Sequence, residues 1–96
     1  MKVVFIIHNV SETESIDQIL KKLNIKNFTR IDKAVGTIEN VDPLFNNKIW
    51  PGYFTITIVE DTENKVEELR QEVKYLKEHL KIPEIKYYEL EAFNFF

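Results

Sequence analysis

The hydrophobic residues fall into six segments, of which four have the pattern of strands. Val3–His8 is β-branched and aromatic, and its apolar residues occupy both alternating sets of positions. This composition predicts a strand, and apolarity on both faces predicts a central strand covered from both sides. Three further strands are predicted at Phe28–Val35, Tyr53–Glu60 and Ile85–Phe93, and the mixed polarity of the first of these predicts an edge strand.

The segment between the first two strands has the periodicity of an amphipathic helix near residues 12–24. Its apolar residues recur at i, i+3, i+4 and i+7: Ile16, Ile19, Leu20 and Leu23. Ser11 and Glu14 have the spacing of a capping box, in which side chains satisfy the free N–H groups at the start of a helix. Asn24 is suited to end the helix.

A second helix is predicted near residues 62–81. Its apolar stripe advances in steps of three and four: Val66, Leu69, Val73, Leu76 and Leu80. Asp61 or Thr62 can cap its first turn, and Pro83 cannot continue it. The opposite face carries charged residues and is predicted to face solvent.

The predicted order βαββαβ is typical of a ferredoxin-like α+β fold formed by one domain, residues 1–96. Right-handed crossovers place the strands in the antiparallel order 4-1-3-2, with both helices on one face of the sheet. We expect Val4, Ile6, Tyr53 and Val59 to line the uncovered face. An exposed apolar face of this kind predicts an oligomer. The late aromatic residues are expected to share in its contacts: Tyr87, Tyr88, Phe93 and Phe95.

Composition narrows the class of protein. The 96 residues are 44% hydrophobic and 30% charged, which excludes a disordered chain. No cysteine is present, which excludes a disulfide framework and a thiolate zinc site. The longest apolar run, Val3–Ile7, is far shorter than the ~20 residues of a membrane span, so we expect a cytoplasmic protein without one. The net charge of −3 argues against nucleic-acid binding.

One loop is unusual in length and content. The two glycines of the chain, Gly36 and Gly52, bracket Thr37–Pro51, which contains the only tryptophan, Trp50. Hairpin loops usually contain about 2–5 residues, and loops much longer than this are commonly functional. This loop is therefore the first place to look for a site.

The predicted topology gathers other polar residues at the same end of the sheet. The loop leaves the sheet where the first strand ends, at His8 and Asn9, and the connection Lys81–Glu84 returns there. A helix N-terminus offers free N–H groups to an anion, and lysines add positive charge. We therefore predict a ligand site from Asn9, Gly36, Thr37, Asn46, Lys48, Trp50 and Lys81.

Evidence for metal or catalytic chemistry is weak. His8, Glu39 and Asp42 are the candidate metal ligands. His79 is instead expected near the C-terminal end of a helix, where the helix dipole stabilises a positive charge. The sequence contains no phosphate-binding GxxxxGK[ST] motif, no HExxH and no recognisable catalytic triad. We therefore predict neither an enzyme nor a tightly bound cofactor.

The βαββαβ order, the sequence Val35-Gly36-Thr37 at the base of a long loop and the return Trp50-Pro51-Gly52 resemble the nitrogen-regulatory PII superfamily, whose relatives include CutA. The resemblance implies a non-catalytic signalling protein and a homotrimer whose sheets surround a central axis. It also implies effector clefts between subunits, and a loop that can contact a protein target. The effector expected is an anionic metabolite, a nucleotide or a metal ion.

The chain departs from that family at three places. Ile38 stands where classical PII proteins have a second glycine, and the Lys81–Glu84 connection, which is Gly-rich in PII proteins, contains no glycine. The loop also lacks the tyrosine that PII proteins can modify. These differences argue against standard ATP and 2-oxoglutarate sensing and leave the effector open.

Two other functions share this topology. Gly52–Ile58 and Val4–Asn9 faintly resemble the strand signatures of RNA-recognition modules, which stack bases on aromatic residues of the open face. Only Tyr53 and Tyr87 are expected to serve that purpose here. An amino-acid-binding regulatory domain is the third possibility.

Overall fold

The computed structural model describes all 96 residues and contains a four-stranded antiparallel sheet and two helices. The elements are β1 (Lys2–Asn9), a 3₁₀ turn (Val10–Glu12), α1 (Thr13–Lys22), β2 (Phe28–Ala34), β3 (Phe54–Asp61), α2 (Glu63–Glu78) and β4 (Ile85–Glu91). The sheet order is β2-β3-β1-β4, so the predicted fold class and strand order are confirmed. Neither helix is both long and apolar enough to cross a membrane.

The hydrophobic core lies between one face of the sheet and the two helices. The predicted stripes of α1 and α2 supply one side of it, with Ile16, Ile19, Leu20, Val66, Leu69, Val73 and Leu76 buried. The sheet supplies Val4, Ile6, Val59 and Ile85, all fully buried. Because β1 is central, the strand with the strongest apolar pattern contributes to the middle of this core.

The predicted assignment of sheet faces is wrong. Val4, Ile6 and Val59 lie beneath the helices rather than on the open face, and Tyr53 precedes β3. The alternate residues form what we call the open face: Val3, Phe5, Ile7, Ile31, Ile56, Ile58, Tyr88 and Leu90. Alternation shows which residues share a face, but when both sets are apolar it does not show which set the helices cover.

The helix ends agree with the predicted ones in two details and differ in two. Asn9, not Ser11, caps the first turn, because its side chain accepts a hydrogen bond from the Ser11 N–H at 3.0 Å. Asn24 ends α1 as predicted, in the left-handed conformation with φ 56°. The second helix ends at Glu78, before Pro83, and Lys81 turns the chain with φ 54°. Its cap is Thr62, one of the two predicted residues.

Candidate functional site

The end of the sheet where β1 stops joins the three segments that the sequence places there. Asn9 N–H donates to the carbonyl of Glu84 at 3.2 Å, and Val10 N–H donates to the carbonyl of Tyr53 at 3.0 Å. The Asn9 side-chain amide also donates to the Glu84 carboxylate. The start of α1, the α2–β4 connection and the base of the long loop are thereby held together. We call this region the loop end.

The long loop is divided by a backbone bridge near its base. Gly36 and Leu44 exchange two hydrogen bonds of 3.0 Å, and the Leu44 side chain is buried. The bridge encloses residues 37–43 on one side. On the other side it is followed directly by a turn over residues 45–52. The loop is therefore two short structured segments anchored by one apolar residue.

The second segment is stabilised by its own hydrogen bonds. The Asn47 side-chain oxygen accepts from the N–H groups of Ile49 and Trp50, at 3.1 and 2.7 Å. The Trp50 carbonyl accepts from the N–H groups of Phe45 and Asn47, and the Gly52 carbonyl accepts from Asn46. This turn is preorganised and presents Lys48 and Ile49 to solvent.

The predicted ligand residues share this end but enclose no cavity within one chain. Gly36 is in the bridge, exposed Thr37 follows it, and Asn46, Lys48 and half-buried Trp50 are in the turn. Asn9 is already bonded to the α2–β4 connection, where Lys81 is exposed. The three cavities of the chain, of about 250–290 Å³, are lined instead by residues around the helices.

The entry to α1 offers fewer free donors to an anion than predicted. The N–H groups of Asn9, Val10, Ser11 and Thr13 all have partners within the chain. Glu12 adds a negative charge in this first turn. An anion at the loop end would therefore depend on lysine side chains rather than on the helix terminus.

His8 has a structural role, and the candidate metal ligands are not gathered in one place. Its Nδ1–H donates to the Asn9 carbonyl at 3.0 Å, and its Nε2 accepts from the Thr57 hydroxyl at 2.9 Å. Both ring nitrogens are thus used, and burial lowers the pKa of this histidine. No group of three or more His, Cys, Asp or Glu side chains, including Glu39 and Asp42, converges on a metal position.

Arg30 extends this buried network to α1. Its Nε donates to the Thr57 hydroxyl at 3.1 Å, and its Nη2 lies 2.7 Å from the carboxylate of Asp17. The Arg30–Asp17 contact is an ion pair without good hydrogen-bond alignment, since Nη2 lacks a well-directed acceptor. The series His8, Thr57, Arg30 and Asp17 links three strands to the helix that begins at the loop end.

A second polar cluster joins α2 to β4, and no sequence pattern indicated it. Arg70 donates two hydrogen bonds to Glu89, at 2.5 and 2.8 Å, and the Tyr87 hydroxyl donates to the same carboxylate at 2.8 Å. The bonds from Arg70 hold the pKa of Glu89 below its usual range. Tyr87 therefore faces the helices and is not available for base stacking or for contacts on the open face.

Three structural features of the loop end were missed by sequence reasoning. Glu84 contacts Asn9, Leu44 anchors the loop, and Asn47 organises the turn. Asn47 was detectable in principle, because asparagine commonly accepts hydrogen bonds from N–H groups two or three residues later. The other two depend on tertiary contacts.

No protein-family model matches the sequence, and no curated protein is similar to it at the sequence level. Solved structures do match. CPII, a nitrogen regulatory PII-like protein from Thiomonas intermedia K12 bound to ADP, AMP and bicarbonate, has a TM-score of 0.68 at 14% identity. The match covers 97% of this chain and 88% of CPII. The structure of CPII with ADP and bicarbonate gives a TM-score of 0.69 at 12% identity, with the same coverage.

A candidate PII-like signalling protein from Thermus thermophilus gives a TM-score of 0.60 at 18% identity. That match covers 93% of this chain and 82% of the other. At these identities the comparison shows the fold. The resemblance found in the sequence is therefore confirmed at that level: this chain is folded like the PII-like nitrogen regulatory proteins.

Proposed function

We propose that the protein is a non-catalytic, PII-like regulatory protein of the cytoplasm. In this proposal it forms a homotrimer and binds a small effector between subunits at the loop end. The observation that carries the proposal is the match along 97% of the chain to CPII, a protein solved with ADP, AMP and bicarbonate. Effector binding changes the loop between Gly36 and Gly52, and the loop then contacts or releases a protein target.

The open face supports an assembly. Its apolar side chains are only half-buried within one chain, and Tyr88 and Leu90 remain 52% and 53% exposed. Apolar faces of this extent usually mark an interface. A trimer built on the open face would leave the outer faces of the helices accessible.

The geometry of the loop end supports a site shared between copies. The predicted ligand residues lie along one end of the sheet, yet none of the cavities includes them. Small-molecule sites are normally concave and bury most of the ligand. A second copy would supply the missing wall.

Two lysines favour an anionic effector. Lys48 and Lys81 are exposed, and neither forms an ion pair. Glu12 and Glu84 lie at the same end of the sheet, and their negative charges oppose anion binding. The lysine side chains must therefore contact the anionic group of the ligand directly. Adenine nucleotides and bicarbonate are the first effectors to test, because they are the ligands of CPII.

A thermal-shift and calorimetric screen of ADP, AMP and bicarbonate, extended to divalent cations and amino acids, tests this proposal. A ligand that binds the native state raises the melting temperature in a saturable way. Lys48→Ala should weaken binding of an anionic ligand severalfold without lowering stability, whereas Lys26→Ala, which changes an exposed lysine just before β2, should not. An unshifted melting temperature with every ligand, or equal binding by both variants, would contradict the proposed site.

Trp50 provides an independent signal from the same titration. It is half-buried in the preorganised turn, so an effector at the loop end should change the polarity around its indole and shift its emission. A ligand that binds tightly without moving the emission would locate the site away from this turn.

A further inference from the structure

A cavity of about 280 Å³ lies between α2 and the edge strand β4, on the helix side of the sheet. Its apolar lining comes from Val73 and Ile85, which are 2% and 0% exposed, and from the half-buried ring of Tyr87. We call it the α2–β4 cavity. None of its lining residues is among those predicted to bind a ligand at the loop end.

Two polar contacts hold α2 to β4 where the cavity lies. The Lys77 ammonium donates to the Ile85 carbonyl at 2.5 Å, and Arg70 donates two hydrogen bonds to Glu89. Residues 70 and 77 are about 10 Å apart along the helix axis, and Val73 lies between them. Because α2 is fixed to the strand at both points, the cavity exists before any ligand binds.

The charged residues of the lining are mostly basic. Three basic residues line the cavity: Arg70, Lys74 and Lys77. Glu78 is the one acidic residue of the lining. Glu89 neutralises Arg70. Lys74, by contrast, forms no ion pair, and Lys77 contacts a carbonyl oxygen rather than a carboxylate. The chain as a whole has a net charge of −3, so this is a local excess of positive charge that favours an anion.

Part of the Arg70 guanidinium is also unused. Glu89 accepts from its Nε and Nη2, and the next carboxylate oxygen, of Glu63, is 4.0 Å from Nη2, which is too far for a hydrogen bond. A guanidinium has five N–H donors, and its Nη1–Nη2 edge matches the two oxygens of a carboxylate. Arg70 can therefore hold Glu89 and a second carboxylate at once.

We propose that the α2–β4 cavity binds a small organic carboxylate whose body is apolar. Its carboxylate contacts Lys74 and Arg70, and its body lies against Val73 and Tyr87. The lining decides this class, because an inorganic anion would leave the apolar side chains uncovered and a neutral ligand would not use the basic groups. A cavity of this volume is at the lower end of small-molecule sites, which fits a body of about one aromatic ring. The site is separate from the loop end and requires neither the trimer nor the proposed effector.

Titration of the nitrogen-15-labelled chain with sodium benzoate, at constant ionic strength, tests the proposal. Benzoate combines a carboxylate with one aromatic ring, and nuclear magnetic resonance locates its contacts by residue. We expect saturable shifts in the amide signals of Val73, Lys77 and Tyr87, and none at Asn47 or in the emission of Trp50. Acetate, which lacks the ring, and benzyl alcohol, which lacks the charge, should each bind at least about fivefold more weakly.

Lysine variants test the contact with the carboxylate. Lys74→Gln should weaken benzoate binding about fivefold, because it removes one exposed charge-assisted contact. Lys21→Gln is the matched control, since Lys21 is also an exposed helical lysine without an ion pair but lies on α1. It should bind benzoate like the parent chain, and so should Lys48→Ala, which changes the loop end.

The outcomes distinguish this site from the proposed function. The absence of a saturable shift, equal binding of benzyl alcohol, or equal binding of benzoate by Lys74→Gln and Lys21→Gln would refute the α2–β4 site. Shifts at Asn47 that Lys48→Ala abolishes would refute it too, and they would locate the benzoate at the loop end. Benzoate binding in this cavity by a chain that binds no effector at the loop end would support this site and contradict the proposed function.

Discussion

The hydroxyl of Thr57 explains how polar residues come to be buried in this sheet. It donates to His8 Nε2 and accepts from Arg30 Nε, so each group has a partner away from water. Thr55 is satisfied similarly, because its hydroxyl donates to the Asp32 carbonyl at 3.0 Å. These bonds allow Thr55 and Thr57 to share the helix-covered face with Val59.

Burial of His8 should make stability depend on pH. Its pKa is lowered in the folded protein by burial, so the unfolded chain binds the proton more readily. The stability from neutral His8 is complete above the ordinary pKa of 6.5 and is lost as the pH falls below it. Denaturant unfolding should show that the free energy of unfolding declines from pH ~6.5 downward, with a slope below the one-proton limit of about 1.4 kcal/mol per pH unit.

His8→Gln should remove most of that decline between about pH 6.5 and 5.5, where carboxylates contribute little. His79→Gln should retain it, since His79 lies exposed at the end of α2. A decline that persists in His8→Gln, or disappears in His79→Gln, would show that His8 is not its source.

The two glycines that bracket the loop should respond differently to substitution. Gly52 has φ 90°, and an added Cβ would lie 3.4 Å from Leu44 Cδ2, whereas Gly36 has no positive φ and no atom within 4 Å of that position. Gly52→Ala should lower the free energy of unfolding by about 1–2 kcal/mol, and Gly36→Ala by less than about 0.5 kcal/mol. Chemical denaturation of both variants measures this, and equal losses would contradict the assigned loop geometry.

At the level of elements, sequence patterns predicted the helices and strands well but their ends less well. Apolar stripes depend on many residues, so α1, α2 and all four strands were predictable. A cap depends on one hydrogen bond. The capping residue is Asn9 rather than the predicted Ser11, because the chain enters α1 through a 3₁₀ turn. The loop looked irregular because its order comes from the Gly36–Leu44 bridge and the Asn47 turn, which leave no periodic signal.

The backbone conformation at the end of α2 can be tested by its effect on stability. Lys81 adopts φ 54°, a backbone conformation that costs a non-glycine residue about 1–2 kcal/mol. Glycine avoids this cost, but it loses more backbone entropy on folding, which cancels part of the gain. Lys81→Gly should therefore equal the parent chain in stability or exceed it by about 0.5 kcal/mol. Lys74→Gly, within the helix, should lose about 1 kcal/mol. A clear loss in Lys81→Gly, measured by denaturant unfolding, would be inconsistent with this helix end.

For the whole molecule, topology was predictable because β1 is apolar on both sides and right-handed crossovers leave one arrangement. The same apolarity concealed which residues form the open face. The meeting of the candidate residues at one end of the sheet was predictable, since the strand order fixes which loops meet. The chemistry of that region was less predictable: the start of α1 was expected to offer free donors, and hydrogen bonds within the chain use several of them.

The proposed function depends above all on the open face, which we propose assembles copies of this chain into a PII-like trimer. Light scattering coupled to size-exclusion chromatography, over a dilution series at micromolar concentration, measures that assembly. We expect a molar mass three times the 11.5 kDa of one chain, with a melting temperature that falls on dilution. A particle of 11.5 kDa throughout the series, with a melting temperature independent of concentration, would show that no such trimer forms.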